Sequence, residues 1–535
     1  MLAKGRVAEE RAAAERTRRV HDALAFVAKK GAPALTCDRQ DSALRDSTTR
    51  PHGSEQHVDL ELGHVRLAAG DAEPTAVRAR ATPEAVEDAV ETRVKRMKLG
   101  VQITRRGPCH GSRDTMTAPV EPSVATPKLR AVDSFLSHSN GEPCLVLRDP
   151  TGVAKTPALI PVALVPVLAR FSGDRTHADI RRELLRDEGL DVPLSAIRDA
   201  AEALYDALFL EGPKLETAIA DAHGAFLASP LRRAAFAGSA YPGEATKLEA
   251  YIAKDCVGAR FAAEDPIDNG RSLRALVLPH IDPWRGARGY GACSDALEKA
   301  LPAGIRTFVL LGTSHAAMTA PFCICPKGFA TPFGPLEAHH EAIGRLERAS
   351  RFDPHADLLN HEHEHSIEFS AVFLKHALDR LGRSEGVRIV PILCGLGQAQ
   401  RTGSDPAADP EVAAFLDELR NVVRDENAVV LAGADLAHVG PRFGDPRAAD
   451  AKARSILEAR DRESLGLARQ GDALGFFEHV VSDGDTRRVC GTGPVYTLLA
   501  ALDGAATGKL LYYDQSVDPK EGSIVSHAGL AFLER

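Results

Sequence analysis

Four runs in the second half of the chain are apolar at nearly every position: "LRALVLP" (273–279), "RTFVLLG" (306–312), "VRIVPILCG" (387–395) and "NAVVLAG" (427–433). Continuous aliphatic runs of this length, without the alternation of a half-solvated strand, predict strands covered on both faces by helices. Longer stretches with helical spacing separate them. Strand alternating with helix predicts an α/β domain around a mostly parallel sheet, over residues 230–535.

Upstream the pattern differs. In "EPCLVLRDPTG" (142–152) an apolar strand runs into a turn, and "LIPVALVPVLARFSG" (159–173) predicts a buried helix ended by Gly173. "THADIRRELLRDEG" (176–189) opens on Thr176 as a helix cap, and "LDVPLSAIRDAAEALYDALFLEG" (190–212) has apolar spacing near 3.6. Residues 126–225 therefore read as a small α+β module of winged-helix type. Residues 1–125 show weak periodicity and polar, turn-rich text such as "TCDRQDSALRDSTTRPHGSEQH" (36–57), which predicts disorder with a few marginal helices. Met116 is expected to be the biological initiator, with the preceding residues an extension.

Composition narrows the function classes. At 535 residues and 44% apolar, the chain has material for two or three packed domains. A formal charge of −8 without a long basic run gives no footprint for nucleic acid. "PALIPVALVPVLARF" (157–171), the most apolar window, is too short for a membrane span and carries three prolines. The start lacks the apolar core of a secretory signal. Nine scattered cysteines read as reduced thiols of a cytoplasmic protein.

The chemistry collects at strand ends. Histidines follow three of the four runs: His280 after Pro279, His315 in Thr313-Ser314-His315, and His438 in Asp435-Leu436-Ala437-His438. Ligands in open α/β sheets bind beyond the carboxyl ends of the strands, so three imidazoles are expected in one crevice. Cys490 in "RRVCGTGP" (487–494) is the expected fourth member, and three imidazoles with one thiolate suit iron, copper or zinc. "NHEHEHSIEF" (360–369) matches two zinc-protease patterns over His361–His365. The metzincin version lacks Gly and His at their fixed later offsets, where Glu368 and Ala371 stand. The gluzincin version lacks a helical third ligand, since Glu385 lies in a glycine-flanked loop. "CICP" (323–326) reads as core, "GARGYG" (286–291) is a poor dinucleotide signature, and Trp284 and Tyr241 read as packing aromatics.

"AGSAYP" (237–242), "PHIDPWRGARGYG" (279–291), "LGTSH" (311–315), "TPFG" (331–334), "EHSIE" (364–368), "VPILCG" (390–395), "ADLAHVG" (434–440) and "CGTGP" (490–494) occur in the order of the Memo-like family, whose bacterial members are called AmmeMemoRadiSam system protein B. The region over 232–533 resembles that family, and the module before it resembles PqqD-like peptide-binding domains. The first resemblance implies a fold like class III extradiol dioxygenases and an iron or copper ion held by His280, His315 and Cys490, with His438 close by. It implies Asp435 as an orienting partner of an imidazole. Within "EHSIE", His365 and Glu368 are expected to share a helix face and point into the crevice for proton transfer or substrate orientation, while His361 and His363 are expected to face solvent. The family's P-H-A-G, G-P-S-H and S-S-D stand here as "PHID", "GTSH" and "AGAD". The implied function is metal-dependent redox, dioxygenase-like chemistry on a small molecule or peptide. The alternative is a non-catalytic, metal-holding or peptide-presenting partner of a radical SAM enzyme, alongside an AMMECR-like protein.

Overall fold

The computed structural model describes residues 122–139, 142–257, 263–267 and 270–535. The expectations for residues 1–121, including Met116 as initiator, lie outside them. The described residues divide into two compact units, 122–221 and 222–535.

In the first unit, strands β1 (Asp133–Ser139), β2 (Glu142–Arg148) and β3 (Ala158–Pro161) form an antiparallel sheet. Helices α1 (His177–Glu188) and α2 (Leu194–Asp206) supply Ile180, Leu184, Ile197 and Leu204 to the core beside it. Thr176 starts α1 through a reciprocal cap. Its hydroxyl accepts from Asp179 N at 3.2 Å, and the Asp179 carboxylate accepts from Thr176 N at 3.0 Å. Gly189, at φ 69°, ends it. The helix expected over 159–173 is instead β3, one 3₁₀ turn (Val162–Leu164) and a short helix (Val165–Leu168). Pro161 and Pro166 lack the amide hydrogen a continuous helix needs, so the apolar run bends while Val165, Val167, Leu168 and Phe171 stay buried.

The second unit is built on an eleven-stranded sheet. Its centre is the four expected strands, β5 (Leu273–Leu278), β6 (Thr307–Thr313), β10 (Arg388–Cys394) and β11 (Val429–Gly433), paired in parallel in the order β5-β11-β6-β10. The sheet as a whole is mixed rather than mostly parallel. Beyond β5 lie antiparallel β14 (Ile524–Glu534), β13 (Ala506–Val517) and β12 (Asp435–Val439). At the β10 side lie β7 (Phe322–Ile324), β9 (Gly334–Ala338), β8 (Gly328–Thr331) and β4 (Leu231–Arg232).

Helices α3 (Pro283–Ala300) and α4 (Ser366–Arg380) pack against each other, α3 on β5 and α4 on β6 and β11. On the other face, α5 (Pro410–Asp425) and α7 (Thr492–Leu502) cover Val309, Leu311, Val390, Ile392, Val430 and Ala432, the alternate residues of the central strands. A further helix, α6 (Ala451–Gln470), lies against β13 and β12. "GARGYG" sits inside α3, where a Cβ on Gly291 would fall 2.0 Å from Cys256 O. These glycines serve close packing of a helix.

Candidate metal centre

Gly312 and Gly433 face each other at the carboxyl ends of β6 and β11. A Cβ on Gly433 would lie 2.2 Å from Ser366 O, and one on Gly312 would lie 2.5 Å from Ser366 Oγ. Only hydrogen at both places lets the first turn of α4 press onto the strand ends. That approach carries Glu364 and His365 to the rims of β5 and β6, where His280 and His315 stand.

His280 is 2% exposed, and its Nδ1 lies 3.0 Å from Gly433 O. A carbonyl only accepts, so Nδ1 carries the hydrogen and Nε2 presents its lone pair, 3.2 Å from Cys490 Sγ. The Asp435 carboxylate accepts from His280 N at 2.9 Å, fixing the backbone that carries the ring. On the facing strand end, the Glu364 carboxylate accepts from His315 N at 2.9 Å and lies 3.0 and 3.1 Å from His315 Nδ1. This carboxylate–imidazole pair again leaves Nε2 for a ligand. His365 Nδ1 is 3.4 Å from the same carboxylate. The three rings crowd together: His315 stacks on His365 at 4.5 Å, and His280 meets His315 and His365 edge-on at 5.0 and 5.3 Å.

The ligand atoms of His280, His315 and Cys490 all lie within 4.8 Å of one another, and those of His315, Glu364 and His365 form an overlapping group. Neighbouring nitrogen and sulfur ligands on a tetrahedral ion stand about 3.5 Å apart. The Cys490–His280 spacing is close to that, so the donor set fits a borderline-soft transition metal. Burial would raise the Glu364 carboxyl, but the electrostatic attraction of the His315 and His365 rings beside it and hydrogen bonds from His315 outweigh it and hold the group well below the usual carboxylate range. Burial first, then the field of His315, pushes the His365 imidazole well below its ordinary range.

The family model described as Memo-like protein matches residues 232–531, more than half the chain and all of this crevice. The chain belongs to the Memo-like family. A MEMO1 family protein of Aquifex aeolicus is 27% identical over 393 residues, covering 72% of this chain and 95% of the relative. That match is longer than the family-model span, so it reaches into the upstream unit. MEMO1 family proteins of Thermus thermophilus and Thermococcus onnurineus are 30% and 28% identical over 294 and 312 residues. These cover 55% and 56% of this chain, and 79% and 99% of the relatives.

Against the sequence reading of this Memo-like chain, His280, His315 and Cys490 come together and His438 falls in neither group. The reason is that the chain does not loop after Gly433 but continues as β12, pairing with β14. His438 stands three residues past Asp435 in that strand, beyond a register shift that lies between the two residues. Its Nδ1 lies 3.2 Å from Leu436 O and its ring packs edge-on against Phe443 at 5.0 Å.

Glu368 also departs from expectation. It is fully buried, and its carboxylate accepts from Arg232, Tyr241 Oη and the amides of Ala235 and Phe236. Arg232 in turn donates to the carbonyls of His361 and Glu364 at 2.9 and 2.7 Å. Glu368 therefore holds the segment that carries Glu364, and both its oxygens are taken up by these donors. The group sequence reasoning left without a role is Glu364 itself, which "EHSIE" contained.

The protease-like spacing dissolves for a local reason. Leu358–His363 is a 3₁₀ segment and α4 starts only at Ser366, so His361 and His365 do not share a helix face. His361 is 1% exposed rather than solvent-side, with Nε2 3.1 Å from Cys323 O, whereas His363 is exposed. Burial pushes the His361 imidazole down to about 4. A base depressed when folded gives stability that is complete above its unfolded value of 6.5 and is lost as pH falls toward 4. The loss is on the order of 3 kcal/mol. Urea midpoints measured from pH 7 to pH 4 should fall steeply in the parent and less steeply in His361→Gln.

Proposed function

We propose that this Memo-like protein holds one redox-active transition-metal ion, iron or copper, at His280, His315 and Cys490 and uses it in dioxygenase-like oxidoreduction of a small organic substrate. The observation that carries the reading is the convergence of two lone-pair-bearing Nε2 atoms and one thiol sulfur at the ends of two parallel strands. With His438 outside the set, three protein ligands leave coordination positions open, the feature that separates reactive centres from closed structural ones. A bound ion of this kind supplies a redox couple and Lewis acidity at those open positions.

The chain's own residues do the rest. Gly433 O and Glu364 fix the two ligand rings in the tautomer that binds. His365, stacked on His315 and walled by Phe236 and Phe369 at 5.5 and 5.4 Å, is the base that accepts a proton from a substrate hydroxyl at the rim. The aromatic walls select a planar, partly apolar substrate and keep water from the base. The extradiol-dioxygenase likeness of the fold is part of this proposal. The test is anaerobic purification, loading with iron(II) or copper(I), metal quantification and oxygen uptake with catechol-type substrates. The reading expects one ion per chain and uptake that His365→Ala abolishes without loss of metal; metal-free protein under every loading condition ends it.

A second reading, a peptide-presenting partner of a radical SAM enzyme, draws on a different observation. The outer strands of the upstream sheet expose Phe135, Leu136 and Leu159, as surfaces that meet another chain do. Co-purification with a radical SAM protein, lost on Phe135→Ser/Leu159→Ser, supports it, and unchanged co-purification by that variant removes it. Among the described residues, no helix is long and apolar enough to cross a membrane.

A further inference from the structure

Five non-glycine residues among those described adopt positive φ, and two of them, Asp485 at 53° and Arg488 at 52°, fall within the six residues that end at Cys490. The left-handed region is unfavourable for a residue such as arginine, and it persists only where the surroundings impose it. The surroundings here are a set of buried polar contacts. The Asp485 carboxylate, 4% exposed, accepts from Val489 N at 2.9 Å and Gln400 Nε2 at 2.7 Å. Arg488 donates from Nε to His438 O at 2.9 Å and pairs with Asp445. Arg487, 5% exposed, donates to Asp461 Oδ1 at 2.7 Å and to Ser464 Oγ at 3.2 Å.

Asp461 stands out among these. It lies on α6, outside the crevice, and is 0% exposed. Its second oxygen accepts from Ser526 Oγ at 2.6 Å and Tyr513 Oη at 3.1 Å. Ser526 Oγ accepts from Ala437 N at 2.9 Å, and Arg487 O accepts from His438 N at 2.7 Å. One buried carboxylate thus ties the Cys490 loop to the β12 segment that begins with Asp435, the residue fixing His280. The far end of the loop is pinned too. Cys490 O accepts from Thr313 Oγ1 at 3.0 Å, Gly491 N donates to Asp435 O at 3.0 Å, and a Cβ on Gly491 would fall 2.4 Å from that oxygen.

We propose that Asp461 and Arg487 are positioning residues for the Cys490 thiolate: the pair holds the strained Asp485–Arg488 turn in the shape that sets Sγ against His280 Nε2. This rests on the metal reading above. A structural salt bridge alone would affect folding; a positioning pair also sets how well sulfur reaches an ion shared with His280 and His315. Outer contacts that orient ligands change metal affinity by about ten- to a hundredfold.

Cobalt(II) titration of the full chain tests this, because the sulfur-to-cobalt charge-transfer band reports the thiolate separately from the histidines. Asp461→Asn leaves Arg487 without its charge partner, whereas Asp461→Leu/Arg487→Met removes both charges at similar volume, a replacement that buried pairs tolerate. The double variant therefore carries the test if the single one fails to fold. The expected result is folded protein by circular dichroism, cobalt affinity reduced about ten- to a hundredfold, and a charge-transfer band weakened relative to the metal-centred absorption. Parent-like affinity and band in the folded double variant overturn the proposal while leaving the metal reading intact. If the parent shows no thiolate band, or Cys490→Ala keeps it, the metal reading fails and this one with it.

Discussion

Cys490→Ala is expected to lower affinity for iron(II) by about a hundredfold while leaving the unfolding transition of the apo protein close to that of the parent. Tight four-ligand sites bind with about 10–16 kcal/mol, so one ligand accounts for roughly 3 kcal/mol, which is about two powers of ten. The apo fold is indifferent because Cys490 is only partly buried and its sulfur fills no core position among the clusters around the sheet. His280→Ala should show a similar loss of affinity, and His438→Ala should not, since that ring packs on Phe443 and belongs to neither ligand group. Equilibrium binding with a competing chelator, run on the three variants together, separates the ligand set from its neighbour. Equal losses for all three variants would return His438 to the ligand set.

The second large effect falls on stability. Glu368→Gln leaves Arg232, also fully buried, without the carboxylate that neutralises it. Breaking a buried ion pair from one side costs about 3–5 kcal/mol, because the remaining charge stays desolvated. For a unit of this size the melting temperature should fall on the order of 10 °C. Folded Glu368→Gln should still bind metal at the three ligands, whereas a catalytic role at the crevice predicts parent-like stability and lost turnover. Calorimetry paired with metal titration decides between them. Arg232→Met/Glu368→Leu, which removes both charges, should recover much of the lost stability.

These two predictions also mark where the sequence was legible. The four aliphatic runs told their own story because each is buried on both faces, and the Thr176 cap is a local signal with a local consequence. The β13–β14 hairpin gave no such signal. Within β14 the buried stretch includes Ser526, His527 and Gly529, so burial does not show as an apolar run. His280, His315 and Cys490 were readable as positions at strand ends and in a glycine-rich turn. His438 was expected just past a strand end, and only pairing with β14, far along the chain, makes the text after Gly433 a strand of its own. Arg232 had no local signature at all: its partner lies 136 residues away. The same holds for Asp461, whose importance comes from three elements that meet it only in the folded chain.

The proposed metal centre requires one ion shared by His280 Nε2, His315 Nε2 and Cys490 Sγ. X-ray absorption at the iron edge of the iron(II)-loaded protein tests it most directly. The expected coordination shell holds one sulfur and two imidazole nitrogens from the protein, the sulfur disappearing in Cys490→Ala. A shell of oxygen and nitrogen alone in the parent, unchanged by that substitution, would contradict it.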